Sequence, residues 1–217
     1  MSELRSQLMT MIGRIAARGW APATAGNYSI RLDSDPIRLL ISPSGADKTL
    51  LRDDDLLEVS QNAEVISGSG KTSAETLLHV VTYQERRAMS VLHVHTVWNT
   101  ILSEHCLSIG SVEISGYEIL KALEGVTTHE HTERIPIFEN SQDMVALSRR
   151  VKEELKRDSA VKAFLLAGHG LYTWGETPAD AYRHLEALEF LFEVLVRKSQ
   201  LQTKGGKRTW PAYVSPS

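Results

Sequence analysis

The stretch Val91-Leu92-His93-Val94-His95-Thr96 organises the predicted fold, because it sets two imidazoles one residue apart after apolar side chains. In a β-strand this spacing points both rings to the same side. Two neutral imidazoles that converge form half of a transition-metal site. The histidine we select as the third ligand is His169, which lies between two glycines. We therefore predict a centre of three nitrogen ligands with one open coordination position.

Length, charge and cysteine content narrow the class of protein. The 217 residues suit one domain, or at most two small ones. A net charge of −3, from 24 basic and 27 acidic residues, gives no overall reason to expect nucleic acid or a membrane surface as a partner. The single cysteine, Cys106, suits a reducing compartment, and the sequence contains no evident signal peptide or membrane-spanning run. We expect a soluble, cytoplasmic protein.

Helical and strand periodicities alternate along the chain. Apolar residues at helical spacing predict helices over residues 2–18, 73–87, 141–156 and 179–200. Apolar runs between turns predict strands, including a hairpin formed by residues 28–32 and 37–41. We therefore predict one α/β domain over residues 1–202, with a central mixed sheet covered by helices, and a short C-terminal tail over residues 203–217.

Two turns between these elements are rich in glycine and hydroxyl side chains. Ser42-Pro43-Ser44-Gly45 can offer N–H and O–H donors to an anion, although an ordinary turn is the better interpretation when it is taken alone. Gly68-Ser69-Gly70-Lys71-Thr72 lacks the glycine that a P-loop needs five residues before Gly70, where Val65 stands. It still leads into a helix N-terminus, where a phosphate is electrostatically favoured. Phosphate binding is therefore open at both turns.

Glu75 has two competing interpretations. Thr72-Ser73-Ala74-Glu75 has the pattern of a capping box, with threonine at the N-cap and glutamate at the third helical position. The same carboxylate follows the glycine-rich turn and is a candidate for an active site. We give the two roles equal weight.

Three histidines with an open position form the donor set of a catalytic zinc ion. A structural zinc would need a fourth protein ligand, and Cys106 is the only cysteine. The second alternating pair, His129-Glu130-His131, has polar, loop-like surroundings, so we favour His93 and His95. Chance placement of two histidines on one strand is the non-metal alternative. A carboxylate beside such a metal, together with phosphate-binding turns, suits proton abstraction next to a carbonyl in a phosphorylated sugar.

Five motifs in order resemble the class II aldolase/adducin family, and the likeness extends over nearly the whole chain. They are Gly26-Asn27-Tyr28-Ser29, Ser42-Pro43-Ser44-Gly45, Ser73-Ala74-Glu75, His93-Val94-His95-Thr96 and Gly168-His169-Gly170. The resemblance implies a class II aldolase-like fold, a cyclic homotetramer with active sites at subunit interfaces, and one zinc ion per subunit held by His93, His95 and His169. It also implies that the early turns bind a substrate phosphate. The residues we assign to that phosphate are Gly26, Asn27, Ser42, Ser44, Gly45, Thr72 and Ser73.

Three further stretches, residues 117–123, 136–140 and 168–175, resemble the branch of this family that dehydrates a phosphorylated ketose. In that branch the residue matching Glu118 is the acid/base, whereas in the sugar-phosphate aldolases it is the residue matching Glu75. We favour Glu118 as the catalytic acid/base and expect Glu75 to shape the substrate or metal pocket. Zinc would acidify the C3 proton next to the carbonyl, and Glu118 would protonate the departing C4 hydroxyl.

Two other functions fit the same motifs. A sugar-phosphate aldolase or epimerase, of the fuculose- or ribulose-phosphate type, would use the same zinc ion but cleave or invert at C4. A metal-free interaction module, as in adducin-type head domains, would share the fold, but the presence of all three histidines argues against it. Ala74 stands where the aldolases usually carry a second serine, which removes one phosphate donor.

Overall fold

A computed structural model describes residues 2–202 of the chain, and the predicted tail at residues 203–217 lies outside this range. The strands are β1 (Asn27–Ser34), β2 (Ile37–Ile41), β3 (Leu57–Ser60), β4 (Val65–Ser67), β5 (Ser90–Val94), β6 (Ser111–Ile114), β7 (Glu133–Phe138), β8 (Ala163–Leu166) and β9 (Gly170–Gly175). The α-helices are α1 (Ser2–Ala17), α2 (Thr76–Glu85), α3 (Val97–His105), α4 (Met144–Arg157) and α5 (Pro178–Gln202). Two short 3-10 helices span Asp53–Asp55 and Glu118–Ala122.

The strand that carries His93 lies in the middle of the sheet. The strand order is β4-β3-β2-β1-β5-β9-β8-β7-β6, so β5 is flanked by β1 from the N-terminal half and β9 from the C-terminal half. The β7–β8 pair is parallel and the other neighbouring strands pair antiparallel, which confirms a mixed sheet. Residues far apart in sequence therefore meet at the end of β5.

Helices cover both faces of the sheet, as predicted, and strand alternation divides the core between the two faces. Leu92 and Val94 of β5 pack in the cluster that contains buried residues of α1, α3 and α5. Val91 belongs to the other cluster, which contains buried residues of α2 and α4. Since side chains two residues apart share a face of a strand, His93 lies on the α2 and α4 side. No helix in the described part of the chain is long and apolar enough to cross a membrane.

Most predicted elements are confirmed, with shifts at helix starts. The hairpin pairs Ser29 with Ile41 and Ile30 with Leu40, and α5 begins at Pro178 as expected for proline at a first helical position. The fourth helix begins at Met144 rather than near Ser141. Its N-cap is Asp143, whose carboxylate accepts a hydrogen bond from the Ala146 N–H at 2.9 Å.

Candidate metal centre

β5 and the residue that follows it place the imidazoles of His93 and His95 next to each other. His93 is fully buried, and its ring stacks on Tyr172 of the neighbouring β9 with the centroids 4.0 Å apart. His95 follows the last residue of the strand, and its backbone N–H donates to the carbonyl of Trp20 at 3.1 Å. The two Nε2 atoms lie 2.9 Å apart. The predicted same-side arrangement of the two rings is therefore present.

His169 reaches the same point from the turn between β8 and β9. Its ring centroid lies 5.1 Å from that of His93 and 4.7 Å from that of His95. Gly168 has a φ of +62°, a conformation that favours glycine. A Cβ atom on Gly170 would lie 2.4 Å from the Val94 carbonyl oxygen and 2.8 Å from Cε1 of His93. Both glycines flanking His169 are therefore needed for this close approach.

Hydrogen bonds at Nδ1 orient two of the three rings. Nδ1 of His93 lies 3.0 Å from the carbonyl oxygen of Leu171, and Nδ1 of His169 lies 3.2 Å from Oδ1 of Asn140. The Leu171 carbonyl only accepts, so Nδ1 of His93 carries the proton and the lone pair of that ring is on Nε2. His169 has an oxygen beside each nitrogen, because its Nε2 lies 2.8 Å from Oε1 of Glu75. The ligand atoms of the three histidines lie within 4.8 Å of one another, and within the described range no other group of three potential metal ligands does so.

Burial keeps the imidazoles of β5 neutral, as a metal ligand must be. Burial lowers the pKa of His93 well below its usual value, although the carboxylate of Glu75 opposes this shift. Burial and the neighbouring His169 lower the pKa of His95 to about 4. Both rings therefore offer lone pairs at neutral pH.

Glu75 lies against this group of histidines. Its Oε1 is 2.8 Å from Nε2 of His169, and its Oε2 is 3.8 Å from Nε2 of His93. Asn27 donates to Oε2 through Nδ2 at 2.6 Å. Burial favours the neutral acid, but the hydrogen bonds from His169 and Asn27 stabilise the carboxylate and lower the pKa of Glu75. Glu75 is therefore a carboxylate beside the candidate metal ligands.

The capping interpretation of Glu75 is wrong. Helix α2 begins at Thr76 with Glu75 itself at the N-cap, where it forms no side-chain capping hydrogen bond. The Thr72 hydroxyl donates instead to the Ala63 carbonyl at 3.1 Å. Ser73 Oγ accepts the Glu75 N–H and donates to the Glu75 carboxylate, both at 3.2 Å. Ser73, unlike Thr72, is therefore in direct contact with a residue of the site.

The residues assigned to phosphate binding from the sequence differ in how accessible they are to a ligand. Gly26 has a φ of +82°, and a Cβ there would lie 2.8 Å from the His93 carbonyl oxygen, so its turn lies directly against β5. The Ser42 side chain is buried and accepts the Tyr28 N–H at 3.2 Å. The Asn27 amide is also buried and bonds to other side chains. Ser44 and Gly45 are exposed, so they are the accessible part of the second turn.

Glu118, our candidate acid/base, does not meet the histidines of its own chain. It is exposed on the 3-10 helix that follows β6, and β6 is separated from β5 by three strands. Its carboxylate contacts Lys121 Nζ at 2.5 Å and His129 Nδ1 at 3.2 Å. The hydrogen bond from Lys121 lowers the pKa of Glu118, so this carboxyl is ionised at neutral pH. His129 and His131 each pair with a carboxylate, of Glu118 and Glu133 respectively.

Lys48 is a candidate site residue that sequence reasoning missed. It is 3% exposed, and its ammonium group donates to the carbonyls of Thr24 and Ala46 at 3.0 and 2.9 Å. No carboxylate in residues 2–202 lies within 4.0 Å of it. Burial lowers the pKa of Lys48. It is thus a buried positive centre that joins the turns containing Gly26 and Gly45. Its position shortly after Gly45 is the only sequence feature that pointed to it.

Glu189 is a second residue that the sequence did not reveal. It is fully buried in α5, and its two oxygens accept hydrogen bonds from Thr96 Oγ1 at 2.6 Å and Asn99 Nδ2 at 2.9 Å. Thr96 and Asn99 form the capping box that begins α3, directly after His95. Glu189 therefore fixes the chain where it leaves the histidine pair. A carboxylate within the apolar stripe of α5 was the sequence signal.

Glu189→Gln is expected to flatten the pH dependence of stability. Burial raises the pKa of Glu189 to about 7 from an ordinary value of 4.5. Between those values the folded chain holds a proton that the unfolded chain has lost, so stability falls as pH rises and the loss is complete above about pH 7. The loss is about 3 kcal/mol at ~1.4 kcal/mol per pKa unit.

Urea unfolding with a chelator present, at pH 5 and pH 7.5, measures this effect for the wild-type chain and the variant. Glu186→Gln, at a partly exposed position of the same helix, controls for the amide substitution itself. An equal loss of stability in the wild type and in Glu189→Gln between the two pH values would contradict the expectation.

The fold and the histidine group define the class of protein. The sequence model of the class II aldolase and adducin N-terminal domain matches residues 6–196, and the chain belongs to that family. Among its relatives is the methylthioribulose-1-phosphate dehydratase of Methylococcus capsulatus, which is 44% identical over 197 residues, covering 90% of this chain and 94% of the relative. The dehydratase of the same name from Citrobacter koseri is 43% identical over 198 residues, covering 91% of this chain and 96% of the relative.

Solved structures agree with the family. The L-fuculose-1-phosphate aldolase from Thermus thermophilus superposes with a TM-score of 0.72 at 25% identity, covering 94% of this chain and 99% of that chain. The sugar-phosphate aldolase from Thermotoga maritima gives a TM-score of 0.69 at 22% identity, covering 95% and 98%. The second likeness shows the fold alone. The predicted class II aldolase-like fold is confirmed.

Proposed function

We propose that this chain is a methylthioribulose-1-phosphate dehydratase, a lyase that removes water from 5-methylthioribulose 1-phosphate to give 2,3-diketo-5-methylthiopentyl 1-phosphate. The observation that carries the proposal is the convergence of His93, His95 and His169 beside Glu75 in a chain whose relatives have that name. The reaction belongs to methionine salvage, and we expect it to take place in the cytoplasm.

We propose zinc as the metal, one ion per subunit, held by His93, His95 and His169. Three neutral imidazoles with an open position are the donor set of catalytic zinc. Zinc supplies a Lewis acid that makes a proton next to the substrate carbonyl more acidic. Glu75, adjacent to two of these rings, orients the site and contributes negative charge to it.

We propose that Glu118 is the acid/base. Dehydration takes one proton from C3 and one hydroxide from C4, so a single carboxylate that accepts the first and protonates the second balances the reaction. Glu118 suits this order, because its lowered pKa makes it a base before it becomes an acid. Glu118 is exposed and does not contact His93, His95 and His169 of its own chain, which we call the triad. We therefore infer that it acts at the triad of a neighbouring subunit in a homotetramer.

The substrate phosphate is proposed to bind at the turns next to His93 and Glu75. Gly26, Ser44, Gly45 and Ser73 offer backbone N–H groups or accessible hydroxyls. Asn27 and Ser42 support the same turns through buried hydrogen bonds, and Thr72 does so through Ala63. Lys48 supplies positive charge behind them.

Lys48→Met is expected to raise KM for the phosphorylated substrate by about 10–100-fold, because a hydrogen bond or close charge pair to an ionised group contributes about 1.5–3 kcal/mol. Steady-state kinetics measure the effect, and inhibition by inorganic phosphate should weaken in parallel. Lys48→Arg keeps the charge and is the matched control. An unchanged KM in Lys48→Met would remove Lys48 from the phosphate site.

The first experiment is to incubate the purified, zinc-loaded protein with 5-methylthioribulose 1-phosphate and to identify the products. Formation of the diketone supports the proposal.

The second candidate is a sugar-phosphate aldolase, which is favoured by the 2.8 Å contact of Glu75 with His169. Incubation with fuculose 1-phosphate and ribulose 5-phosphate tests aldol cleavage and epimerisation, and either activity without diketone formation would overturn the dehydratase assignment. A purified protein that takes up no zinc would favour an adducin-like interaction module.

A further inference from the structure

His79 is a buried histidine that the proposed function does not use. It lies on α2, one turn after Glu75, and is fully buried. Both of its ring nitrogens form hydrogen bonds: Nδ1 lies 2.7 Å from Ser29 Oγ, and Nε2 lies 2.5 Å from Asn27 Oδ1. Its ring also meets Tyr172 edge to face at 5.8 Å, and Tyr172 stacks on His93. His79 therefore lies directly behind the metal centre.

The direction of each hydrogen bond follows from the one that ends at Glu75. A carboxylate only accepts, so the Asn27 atom that faces Glu75 Oε2 at 2.6 Å is the Nδ2 donor. Asn27 Oδ1 then faces His79 and must accept, which places the imidazole proton on Nε2. Since a neutral ring has one N–H, Nδ1 accepts the hydroxyl proton of Ser29.

The hydrogen bond between Ser29 and Tyr83 also has a defined direction. Ser29 donates its only hydroxyl proton to His79, so the Tyr83 hydroxyl donates to Ser29 Oγ at 2.9 Å. Four hydrogen bonds thus run in one direction, from Tyr83 through Ser29, His79 and Asn27 to Glu75. The opposite tautomer would set two acceptors, Nε2 and Oδ1, against each other at 2.5 Å. Burial lowers the pKa of His79 to about 3, so the ring is neutral and only one of its two nitrogens carries a proton.

We propose that His79, with its proton on Nε2, is a positioning residue that turns the Asn27 amide so that its NH2 group faces Glu75. The Glu75 carboxylate is thereby held with Oε2 on the Asn27 amide and Oε1 against His169. If His79 lost its proton from Nε2, the amide would turn over and present its oxygen to the carboxylate. The inference concerns the hydrogen-bond geometry, and it rests on the proposed function only where turnover is measured.

The direct test is ¹⁵N NMR of the zinc-loaded protein labelled at histidine. Resonances that are missing from His79→Gln belong to His79, and the shifts of protonated and unprotonated ring nitrogens differ strongly. We expect a protonated Nε2 and an unprotonated Nδ1 between pH 5.5 and 8. A proton on Nδ1, or on both nitrogens, would overturn the proposal. This measurement needs no activity, so it stands even if the protein proves not to be a dehydratase.

A matched pair of variants tests the consequence. Glutamine at 79 can place an amide donor near the position of Nε2, whereas asparagine reaches only as far as Nδ1. We expect His79→Asn to lower kcat by about 10–100-fold with KM nearly unchanged, as for loss of a residue that orients an active-site group. His79→Gln should recover most of that loss. Equal kcat values for the two variants would overturn the proposal, and if His79→Asn does not fold, the NMR result on the wild-type chain decides it.

Discussion

Replacing Glu118 with glutamine is expected to lower kcat by about 10²–10⁴-fold, the range that general acid/base catalysis contributes. The substitution keeps the size of the side chain but removes the group that accepts and returns a proton. Zinc content and thermal stability should be unchanged, because Glu118 is exposed and its ion pairs within the described chain are with Lys121 and His129, away from the triad. The measurement is dehydratase kinetics together with the zinc content of the same preparation.

Glu75→Gln is the matched control, since it makes the same change at the other candidate carboxylate. Glu75 contacts the histidines directly, so this variant should alter metal affinity as well as turnover. Full activity in Glu118→Gln together with a kcat loss in Glu75→Gln at normal zinc content would give the acid/base role to Glu75. A normal zinc content with little turnover in Glu118→Gln would support our assignment.

The candidate metal ligands could be identified because their signal in the sequence is local. An alternating histidine pair on an apolar strand fixes the direction of two rings, and glycines on both sides of His169 allow the backbone to approach closely. The hairpin and the helices α1 and α5 could likewise be predicted from periodic apolar patterns bounded by clear turn residues. The order of strands around β5 could not be predicted, because it depends on pairing between residues that are 60 or more positions apart.

The environment of the candidate site was less predictable, because burial depends on which segments meet. Thr72 and Glu75 have the spacing of a capping box, but the Thr72 hydroxyl bonds to Ala63, a residue that the sequence did not connect to it. Asn27 matches a phosphate-binding motif, yet its amide bonds to His79 on one side and Glu75 on the other. The polar residues that support a site are visible only when their partners are known.

Replacing His95 with alanine is expected to remove the bound zinc and to reduce dehydratase activity below detection. Loss of a residue that merely orients a ligand lowers affinity or activity by about 10–100-fold, and loss of a ligand should exceed that. His95 is partly exposed and follows β5, so the truncation should leave the sheet intact. Zinc content by atomic absorption and circular dichroism of the same sample separate loss of metal from loss of fold. Retention of one zinc ion per subunit would contradict the three-histidine assignment.

Mixing the two inactive variants tests where Glu118 acts. If each site combines the histidines of one subunit with Glu118 of its neighbour, then subunits of His95→Ala and Glu118→Gln complement each other. Random reassociation would restore roughly a quarter of the sites, because each site needs an intact triad from one subunit and an intact Glu118 from the next. If both groups act within one chain, no mixture contains a complete site and activity stays absent. The exposed position of Glu118, three strands from the histidines, leads us to expect restoration.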